Sequence, residues 1–102
     1  MNYQNIPVEK FKELMEDENT VVLDVRTPGE EAEGTIPGSV LINFMDPSFK
    51  DEVETLDPSK TYLVHCRSGG RSASACDFMA SKGFSNLYNL EGGIQAWNST
   101  LA

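Results

Sequence analysis

The sequence predicts an α/β domain in which a mostly parallel β-sheet is covered by helices on both faces. Short apolar runs of strand length alternate along the chain with segments whose apolar residues recur at helical spacing. Strands that alternate with helices are joined by crossover connections, and such connections make neighbouring strands parallel. A chain of 102 residues has room for one core of this kind. We therefore expect residues 1–102 to form a single domain.

Two strands and two helices are predicted in the first half of the chain. Residues 7–15 carry apolar side chains at helical spacing, and the β-branched run at 20–25 is typical of a buried strand. The acidic, turn-rich segment 28–34 has room for about one helical turn. Residues 39–44 predict a second strand, and residues 47–56 predict a helix with one apolar face.

The second half of the chain repeats this alternation. Residues 61–65 predict a third strand, which leads directly into Cys66. Residues 71–82 predict a helix with a glycine just past its end, and glycine is a common stop signal at that position. Residues 86–90 predict a fourth strand, and residues 94–97 belong to a closing helix. The residue pattern alone therefore indicates four strands.

The distribution of charge points to an anion site at one cysteine. The formal net charge is -8, and such a field repels polyanions, so we expect no nucleic-acid partner. The chain has only three arginines: Arg26, Arg67 and Arg71. Two of them lie within five residues of Cys66. An acidic chain that concentrates its arginines beside a cysteine favours a small anionic ligand there.

Several function classes are disfavoured by what the sequence lacks. The apolar runs are too short to span a bilayer, so we expect no membrane partner. Residues 1–5 have neither the basic nor the apolar region of a signal peptide, which predicts a cytoplasmic location. One histidine and two cysteines give no metal-ligand spacing, and we expect neither a metal nor another cofactor. Cys76 lies within a predicted helix and is expected to be a small buried apolar residue rather than a resolving thiol.

The segment most informative about function is residues 65–72, His-Cys-Arg-Ser-Gly-Gly-Arg-Ser. It joins a predicted strand to a predicted helix, and ligands of α/β sheets bind at the carboxyl ends of strands. Gly69 and Gly70 permit positive φ angles, which let successive amides turn inward toward one point. The following helix directs its positive end to the same place. Such a loop is a cup for an anion.

The same cup is expected to lower the pKa of Cys66. A thiolate is stabilised by a helix N-terminus and by neighbouring arginines, here Arg67 and Arg71. A cysteine in an amide-lined loop is therefore a candidate nucleophile that meets an anionic substrate. The alternative interpretation is a buried cysteine followed by a glycine-rich turn.

Three motifs of the chain resemble those of the rhodanese family. Residues 66–71 are similar to the family's active-site loop. The first signature is matched by residues 23–26 with Glu30, Gly34 and residues 36–38, and the closing motif by residues 90–94 with Trp97. The resemblance runs from about Ile6 to Trp97 and implies a rhodanese-like, five-stranded parallel sheet flanked by helices on both faces. The segment near Ile6 is the candidate for the fifth strand. Glu31 and Thr35 depart from the family's usual residues.

The resemblance implies a thiosulfate sulfurtransferase-like enzyme. Four residues separate Cys66 from Arg71, a loop length that the family's sulfurtransferases share, whereas related phosphatases and arsenate reductases carry one residue more. The implied reaction moves a sulfane sulfur from a small anionic donor such as thiosulfate to a thiol or cyanide, through a persulfide on Cys66. A carrier protein could supply the thiol. An oxyanion enzyme related to phosphatases, and a non-catalytic interaction module, remain as alternatives.

The resemblance also assigns roles to individual residues. Cys66 is the catalytic residue. The substrate-binding residues are Arg67, Ser68, Gly69, Gly70, Arg71 and Ser72. The supporting residues are Asp24, Arg26, Glu30 and His65. Asp24 and Arg26 are expected either to form a structural ion pair, with Glu30 in the same network, or to act directly in catalysis. His65 is expected to orient the loop. Ser72 either donates to the persulfide or caps the following helix.

Overall fold

The computed structural model describes residues 2–101, and within them it contains five strands and five helices. The strands are β1 (Gln4–Ile6), β2 (Thr20–Asp24), β3 (Val40–Leu41), β4 (Thr61–His65) and β5 (Leu87–Leu90). The helices are α1 (Val8–Leu14), α2 (Pro28–Ala32), α3 (Phe49–Glu54), α4 (Gly70–Ser81) and α5 (Gly93–Ser99). The strands form one sheet in the order β1-β5-β4-β2-β3, and every pairing is parallel. The five-stranded parallel sheet is confirmed, with its additional strand at Gln4–Ile6.

The sheet separates two apolar clusters, one on each face. Successive residues of a strand point to opposite faces, and in β4 Tyr62 and Val64 belong to one cluster whereas Leu63 belongs to the other. The first cluster is completed by side chains of α3 and α4, such as Val53 and Met79. The second is completed by α1 and α5. The helices therefore cover both faces, and the central strand β4 is buried between them.

The predicted strand at 39–44 is much shorter in the structure. Only Val40–Leu41 is paired with β2 as a strand, and β3 lies at the edge of the sheet. Two further hydrogen bonds keep the chain after β3 beside β2: the Ile42 amide donates to the Asp24 carbonyl at 2.9 Å, and the Phe44 amide donates to the Val25 carbonyl at 3.1 Å. Within residues 39–44 only Ile42 is buried, and the strand covers Val40–Leu41.

The parallel arrangement gathers the ends of β2, β4 and β5 at one edge of the sheet. Asp24 pairs with His65, so the residues that follow β2 and β4 emerge side by side. The turn after β5 leads into α5 at the same edge. No helix within residues 2–101 is both long and apolar enough to cross a membrane.

Candidate active site

The Cys66 thiol lies at the base of the loop between β4 and α4, where hydrogen bonds converge on its sulfur. The Gly69 amide donates to Sγ over 3.1 Å, and the Ser72 hydroxyl lies 3.3 Å from it. Burial by itself raises the pKa of the Cys66 thiol. Hydrogen bonds from the Ser72 hydroxyl and from the amides of Ser72, Gly69 and Ser68 together outweigh burial, and the pKa is lowered from its ordinary value. Hydrogen bonds, more than the arginines that the sequence suggested, produce the lowering.

The two glycines of the loop have different conformations. Gly69 has a φ of 114° and is the N-cap of α4, so it turns the chain into the helix through a backbone conformation that favours glycine. Gly70 is the first residue of α4 and does not have a positive φ. Both glycines permit a positive φ, and in the structure Gly69 has one whereas Gly70 does not. The positive end of the 12-residue helix lies beside Cys66 as predicted.

The N-terminus of α5 supports the loop from behind. The Ile94 amide donates to the Cys66 carbonyl at 2.9 Å, and the Gln95 amide donates to the Arg67 carbonyl at 3.2 Å. Gly93 has a φ of 57°, and a Cβ built on it would lie 2.5 Å from the carbonyl carbon and oxygen of Arg67. These contacts turn the loop carbonyls toward α5. The loop amides are thereby left to face the sulfur.

Asn89 is a site residue that sequence reasoning missed. Its side chain is buried in β5, and its Nδ2 donates to the Gly69 carbonyl at 3.2 Å and to Asn5 Oδ1 at 2.9 Å. Its Oδ1 is hydrogen bonded to the Ser72 hydroxyl. The available signal was a polar residue between Tyr88 and Leu90 in a strand that otherwise reads as buried. Asn89 thus ties the neighbouring strand to the loop.

Ser72 faces the sulfur rather than capping the helix. Gly69 is the N-cap of α4, and Ser72 is the third residue of that helix. The Ser72 hydroxyl lies within hydrogen-bonding reach of Cys66 Sγ, the Gly69 carbonyl and Asn89 Oδ1, and it has one proton to share among them. Ser68 contributes its amide to the loop, while its side chain is exposed.

Arg71 forms a two-pronged ion pair with Glu30. The Arg71 nitrogens Nη1 and Nη2 lie 2.7 and 2.8 Å from the two Glu30 carboxylate oxygens. Glu30 also accepts hydrogen bonds from the amide and hydroxyl of Thr27 in a capping box that begins α2. The hydrogen bonds from Arg71 are the largest cause that lowers the pKa of Glu30 to about 2. Glu30 therefore fixes the active-site helix α4 to α2.

Asp24 and Arg26 form the expected ion pair, and both side chains are buried. Arg26 Nε and Nη2 lie 3.0 and 2.8 Å from the two carboxylate oxygens of Asp24. Arg26 Nη2 also donates to the Gly34 carbonyl at 2.7 Å, and Nη1 donates to the Glu30 carbonyl. The Thr35 hydroxyl donates to Asp24 Oδ2 at 2.8 Å, so this departure from the family pattern is integrated into the network. Glu30 joins the network through its backbone, whereas its carboxylate binds Arg71.

His65 lies on the opposite face of β4 from Cys66. Its ring packs edge-on against Phe11 with the ring centres 6.4 Å apart, and its Nε2 lies 3.0 Å from the Ser39 hydroxyl. Burial lowers the pKa of His65 to about 4, so the imidazole is neutral at pH 7. Its Nδ1 is buried without a hydrogen-bond partner within residues 2–101. The orienting role of His65 stays a prediction.

Arg67 is the exposed arginine of the loop, and it borders a cleft of about 680 Å³. Its side chain forms no ion pair with any residue between 2 and 101. One wall of the cleft comes from α2 and the turn after it, and the other comes from α5. The cleft thus begins at the residue next to Cys66, although Cys66 itself does not line it.

Cys76 is buried in α4 with a free thiol, and burial raises the pKa of this thiol to about 12. Cys66 is likewise a free thiol. The described part of the chain contains no group of three or more histidine, cysteine or carboxylate side chains that could hold a metal ion. Of the two thiols, Cys66 is therefore the one whose surroundings favour the nucleophilic thiolate.

Comparisons with known proteins agree with this geometry. A family model described as a rhodanese-like domain matches residues 7–100. The chain is 41% identical to the YtwF protein of Bacillus subtilis over 98 residues, which covers 95% of this chain and 92% of that protein. It is 34% identical to the thiosulfate sulfurtransferase GlpE of Pseudomonas putida, with 96% and 87% covered.

Solved structures of similar chains have the same fold. A rhodanese-related protein from Thermoplasma volcanium superposes with a TM-score of 0.85 at 34% identity, covering 96% of this chain and 93% of that one. A rhodanese-like domain protein from Staphylococcus aureus superposes with a TM-score of 0.81 at 30% identity, covering 92% and 90%. This chain thus shares its fold with both proteins.

Proposed function

This chain belongs to the rhodanese-like family and is a sulfurtransferase, and from that premise we propose that it carries sulfur as a persulfide on Cys66, with thiosulfate as a donor. The convergence of amide and hydroxyl hydrogen bonds on Cys66 Sγ carries the proposal. The same hydrogen bonds lower the pKa of the thiol and so favour the thiolate, which is the nucleophilic form. Both relatives reported above are named sulfurtransferases, which favours sulfur transfer over the alternatives of an oxyanion enzyme and of a non-catalytic module.

In the first step, the Cys66 thiolate attacks the outer sulfur of thiosulfate. A bond forms between Sγ and that sulfur, the sulfur–sulfur bond of thiosulfate breaks, and sulfite leaves with the electron pair. In the second step, an acceptor thiolate or cyanide attacks the outer sulfur of the persulfide. Cys66 leaves as a thiolate, so the enzyme returns to its starting state with no net oxidation or reduction.

The loop amides are placed to stabilise the negative charge at both stages. The Gly69 amide already donates to Sγ, and the amides of Ser68 and Ser72 also contribute to lowering the pKa of the thiol. In the persulfide the negative charge lies on the outer sulfur, which is one bond further from the protein than Sγ. Fixed amide donors stabilise such a charge without having to reorient. We assign residues 67–72 this role, with Cys66 as the catalytic residue.

Arg67 is the residue to which we assign binding of the anionic donor. Both terminal nitrogens of Arg71 are already bonded to Glu30, so this guanidinium holds the loop instead of meeting a ligand. Arg67 is exposed at the rim of the loop and lacks an ion-pair partner within the described residues. Asp24, Arg26, Glu30 and His65 are then positioning residues, which fix the strands and helices around the loop.

The required chemistry also bears on location. A persulfide cycle needs Cys66 as a free thiol, as it is in the structure, and a reducing compartment keeps thiols in that state. The cytoplasm is the location that we propose on this ground.

Thiocyanate formation from thiosulfate and cyanide tests the proposal. The wild-type protein is expected to turn over, and Cys66→Ser is expected to lose activity to background. Cys76→Ala is the matched control, since it removes the other thiol and is expected to retain turnover. Thiocyanate formation that persists in Cys66→Ser would overturn the assignment of the nucleophile.

A further inference from the structure

Asn89 lies where the strand beside β4 meets the active-site loop. It belongs to β5, is 4% exposed, and pairs in register with Asn5 of β1 and Val64 of β4. Its side chain contacts Ser72, whose hydroxyl is the side-chain donor to Cys66 Sγ. A buried amide is costly unless it is hydrogen bonded, so the partners of Asn89 indicate its role.

The orientation of the Asn89 amide is fixed by a backbone group. Its Nδ2 donates to the Gly69 carbonyl at 3.2 Å and to Asn5 Oδ1 at 2.9 Å. A carbonyl oxygen can only accept, so the nitrogen end of the amide must face Gly69. The oxygen end therefore faces Ser72, and among residues 2–101 the Ser72 hydroxyl is the only donor to Asn89 Oδ1.

The Ser72 hydroxyl has one proton and several acceptors within reach. Its oxygen lies 3.3 Å from Cys66 Sγ and 3.2 Å from the Gly69 carbonyl, and it is also hydrogen bonded to Asn89 Oδ1. The Gly69 carbonyl is already satisfied, since it accepts from the Ala73 amide at 3.1 Å. The proton is therefore shared chiefly between a sulfur whose charge changes during the reaction and an amide oxygen that stays neutral.

We propose that Asn89 is a positioning residue for Cys66, because its Oδ1 accepts the Ser72 proton whenever the Cys66 sulfur carries no charge. In the thiolate the proton points to Sγ, and Asn89 Oδ1 loses its donor. In the thiol and in the persulfide the proton points to Asn89. A buried oxygen without a donor costs free energy, so Asn89 opposes the thiolate and favours the two uncharged forms of Sγ.

The consequence for sulfur transfer rests on the persulfide cycle proposed above. When Sγ attacks the donor, it changes from a charged thiolate to the uncharged inner sulfur of the persulfide. The Ser72 proton then turns from Sγ to Asn89, so the buried hydroxyl stays hydrogen bonded. When the acceptor takes the outer sulfur, Sγ keeps the electron pair of the broken bond and the proton turns back. The hydroxyl only rotates in both steps, and no proton leaves it.

Two substitutions of Asn89 are expected to move the pKa of Cys66 in opposite directions. Asn89→Leu is close in shape but has no acceptor, so the pH midpoint of alkylation by iodoacetamide should fall by about half a pH unit. Asn89→Asp keeps the acceptor and adds a negative charge, so the midpoint should rise by about one pH unit. A residue that only held the loop in shape would raise the midpoint in both variants, because a displaced loop misaligns the Gly69 amide that donates to Sγ.

Asn5→Asp is the matched control for the added charge. It makes the same change one strand further from Cys66, at an exposed position, and the new carboxylate still accepts from Asn89 Nδ2. Its midpoint is expected to stay within about 0.2 pH unit of the wild type, because an exposed charge is screened. Equal increases in Asn5→Asp and Asn89→Asp would overturn the proposal, since charge alone would then explain both.

A double-mutant cycle tests whether Asn89 acts through the Ser72 proton. In the Ser72→Ala background there is no proton to compete for, so Asn89→Leu should leave the midpoint unchanged, and Asn89→Asp should lose about half of its effect. The Asn89→Asp arm decides the question even if Asn89→Leu does not fold. Shifts of the same size with and without Ser72 would overturn the proposal. Alkylation needs no sulfur donor, so these outcomes do not depend on the persulfide cycle.

Single-turnover discharge tests the role of Asn89 in transfer. The protein is loaded with thiosulfate, freed of excess donor and discharged with cyanide, and its intact mass is followed. A more stable thiolate is a better leaving group, so Asn89→Leu should discharge about twofold faster than the wild type. Equal discharge rates beside a lowered midpoint would overturn the role in transfer. Failure of the wild type to load would instead overturn the persulfide cycle and leave the alkylation result standing.

Discussion

Gly93 packs against the carbonyl of Arg67 so closely that no other residue fits its position. A Cβ on Gly93 would lie 2.5 Å from two Arg67 atoms and 2.6 Å from the Cys66 carbonyl oxygen. These are backbone atoms of the loop, which cannot move aside without moving the sulfur's amide donors. The geometry of the nucleophile therefore depends on a residue that is distant in sequence.

Gly93→Ala is expected to destabilise the protein by about 2 kcal/mol and to abolish most sulfur transfer, because the added methyl group displaces the loop. Urea unfolding and the thiocyanate assay measure the two effects. Gly83→Ala is the control, since Gly83 also has a positive φ, of 93°, but has open space around it. It should lose about 1 kcal/mol of stability and keep its activity. Equal losses of activity in both variants would argue against the steric explanation.

Removing the Ser72 hydroxyl is expected to raise the pKa of Cys66, because that hydrogen bond is the largest cause that lowers it. Thiolate forms as pH rises through the thiol pKa, so Ser72→Ala should shift the pH profile of alkylation by iodoacetamide to higher pH. At neutral pH the rate should fall by up to about tenfold. Ser74→Ala, on an exposed position of the same helix, serves as the control. A pH profile for Ser72→Ala identical to that of the wild type would show that the Ser72 hydroxyl does not lower the pKa of Cys66.

The Glu30–Arg71 pair is expected to stabilise the fold at neutral pH and to do so less in acid. The pKa of Glu30 is lowered to about 2, so this stability is present above the ordinary carboxyl pKa and is lost as pH falls from about 4.5 toward 2. Glu30→Gln should cost about 1–2 kcal/mol at pH 7 in urea unfolding, and less at pH 3. Glu54→Gln breaks the exposed pair with Lys82 and should cost less than about 0.5 kcal/mol. A cost for Glu30→Gln that is the same at both pH values would contradict this assignment.

His65 is expected to make the protein less stable in mild acid. Its pKa is lowered to about 4, so the unfolded chain takes up a proton near pH 6.5 while the folded protein does not. The stability present above pH 6.5 is therefore lost as pH falls toward 4, by about 2 kcal/mol between pH 7 and pH 5. The chain has one histidine, so His65→Gln should remove this slope from urea unfolding measured at the two pH values. If the slope survives in the variant, other groups cause it.

The sequence predicted the order of elements well because the apolar pattern records burial. Four strands follow from apolar runs, and α4 begins within one residue of its predicted start. β1 is harder to recognise, since its three residues include only one buried side chain, Ile6. The length of β3 also escaped the pattern, because an edge segment can be apolar without continuing the ladder.

The sequence predicts the active-site loop, but it does not predict which side chains from other elements bind to that loop. The position of Cys66 and the inward amides follow from local sequence. The ion pair of Arg71 with Glu30 joins residues 41 positions apart, and the contact of Asn89 with Ser72 joins residues 17 apart. Such pairings depend on how the sheet brings its strands together. In the sequence, Arg67 and Arg71 are therefore equivalent candidates for binding the anionic donor. In the fold, Arg71 is paired with Glu30, whereas Arg67 is exposed.

The most direct test of the persulfide on Cys66 is the intact mass of the reduced protein after incubation with thiosulfate, beside Cys66→Ser and Cys76→Ala. We predict a gain of one sulfur atom in the wild type and in Cys76→Ala, reversed by cyanide, and no gain in Cys66→Ser. An unchanged wild-type mass, or a gain that persists in Cys66→Ser, would contradict the account.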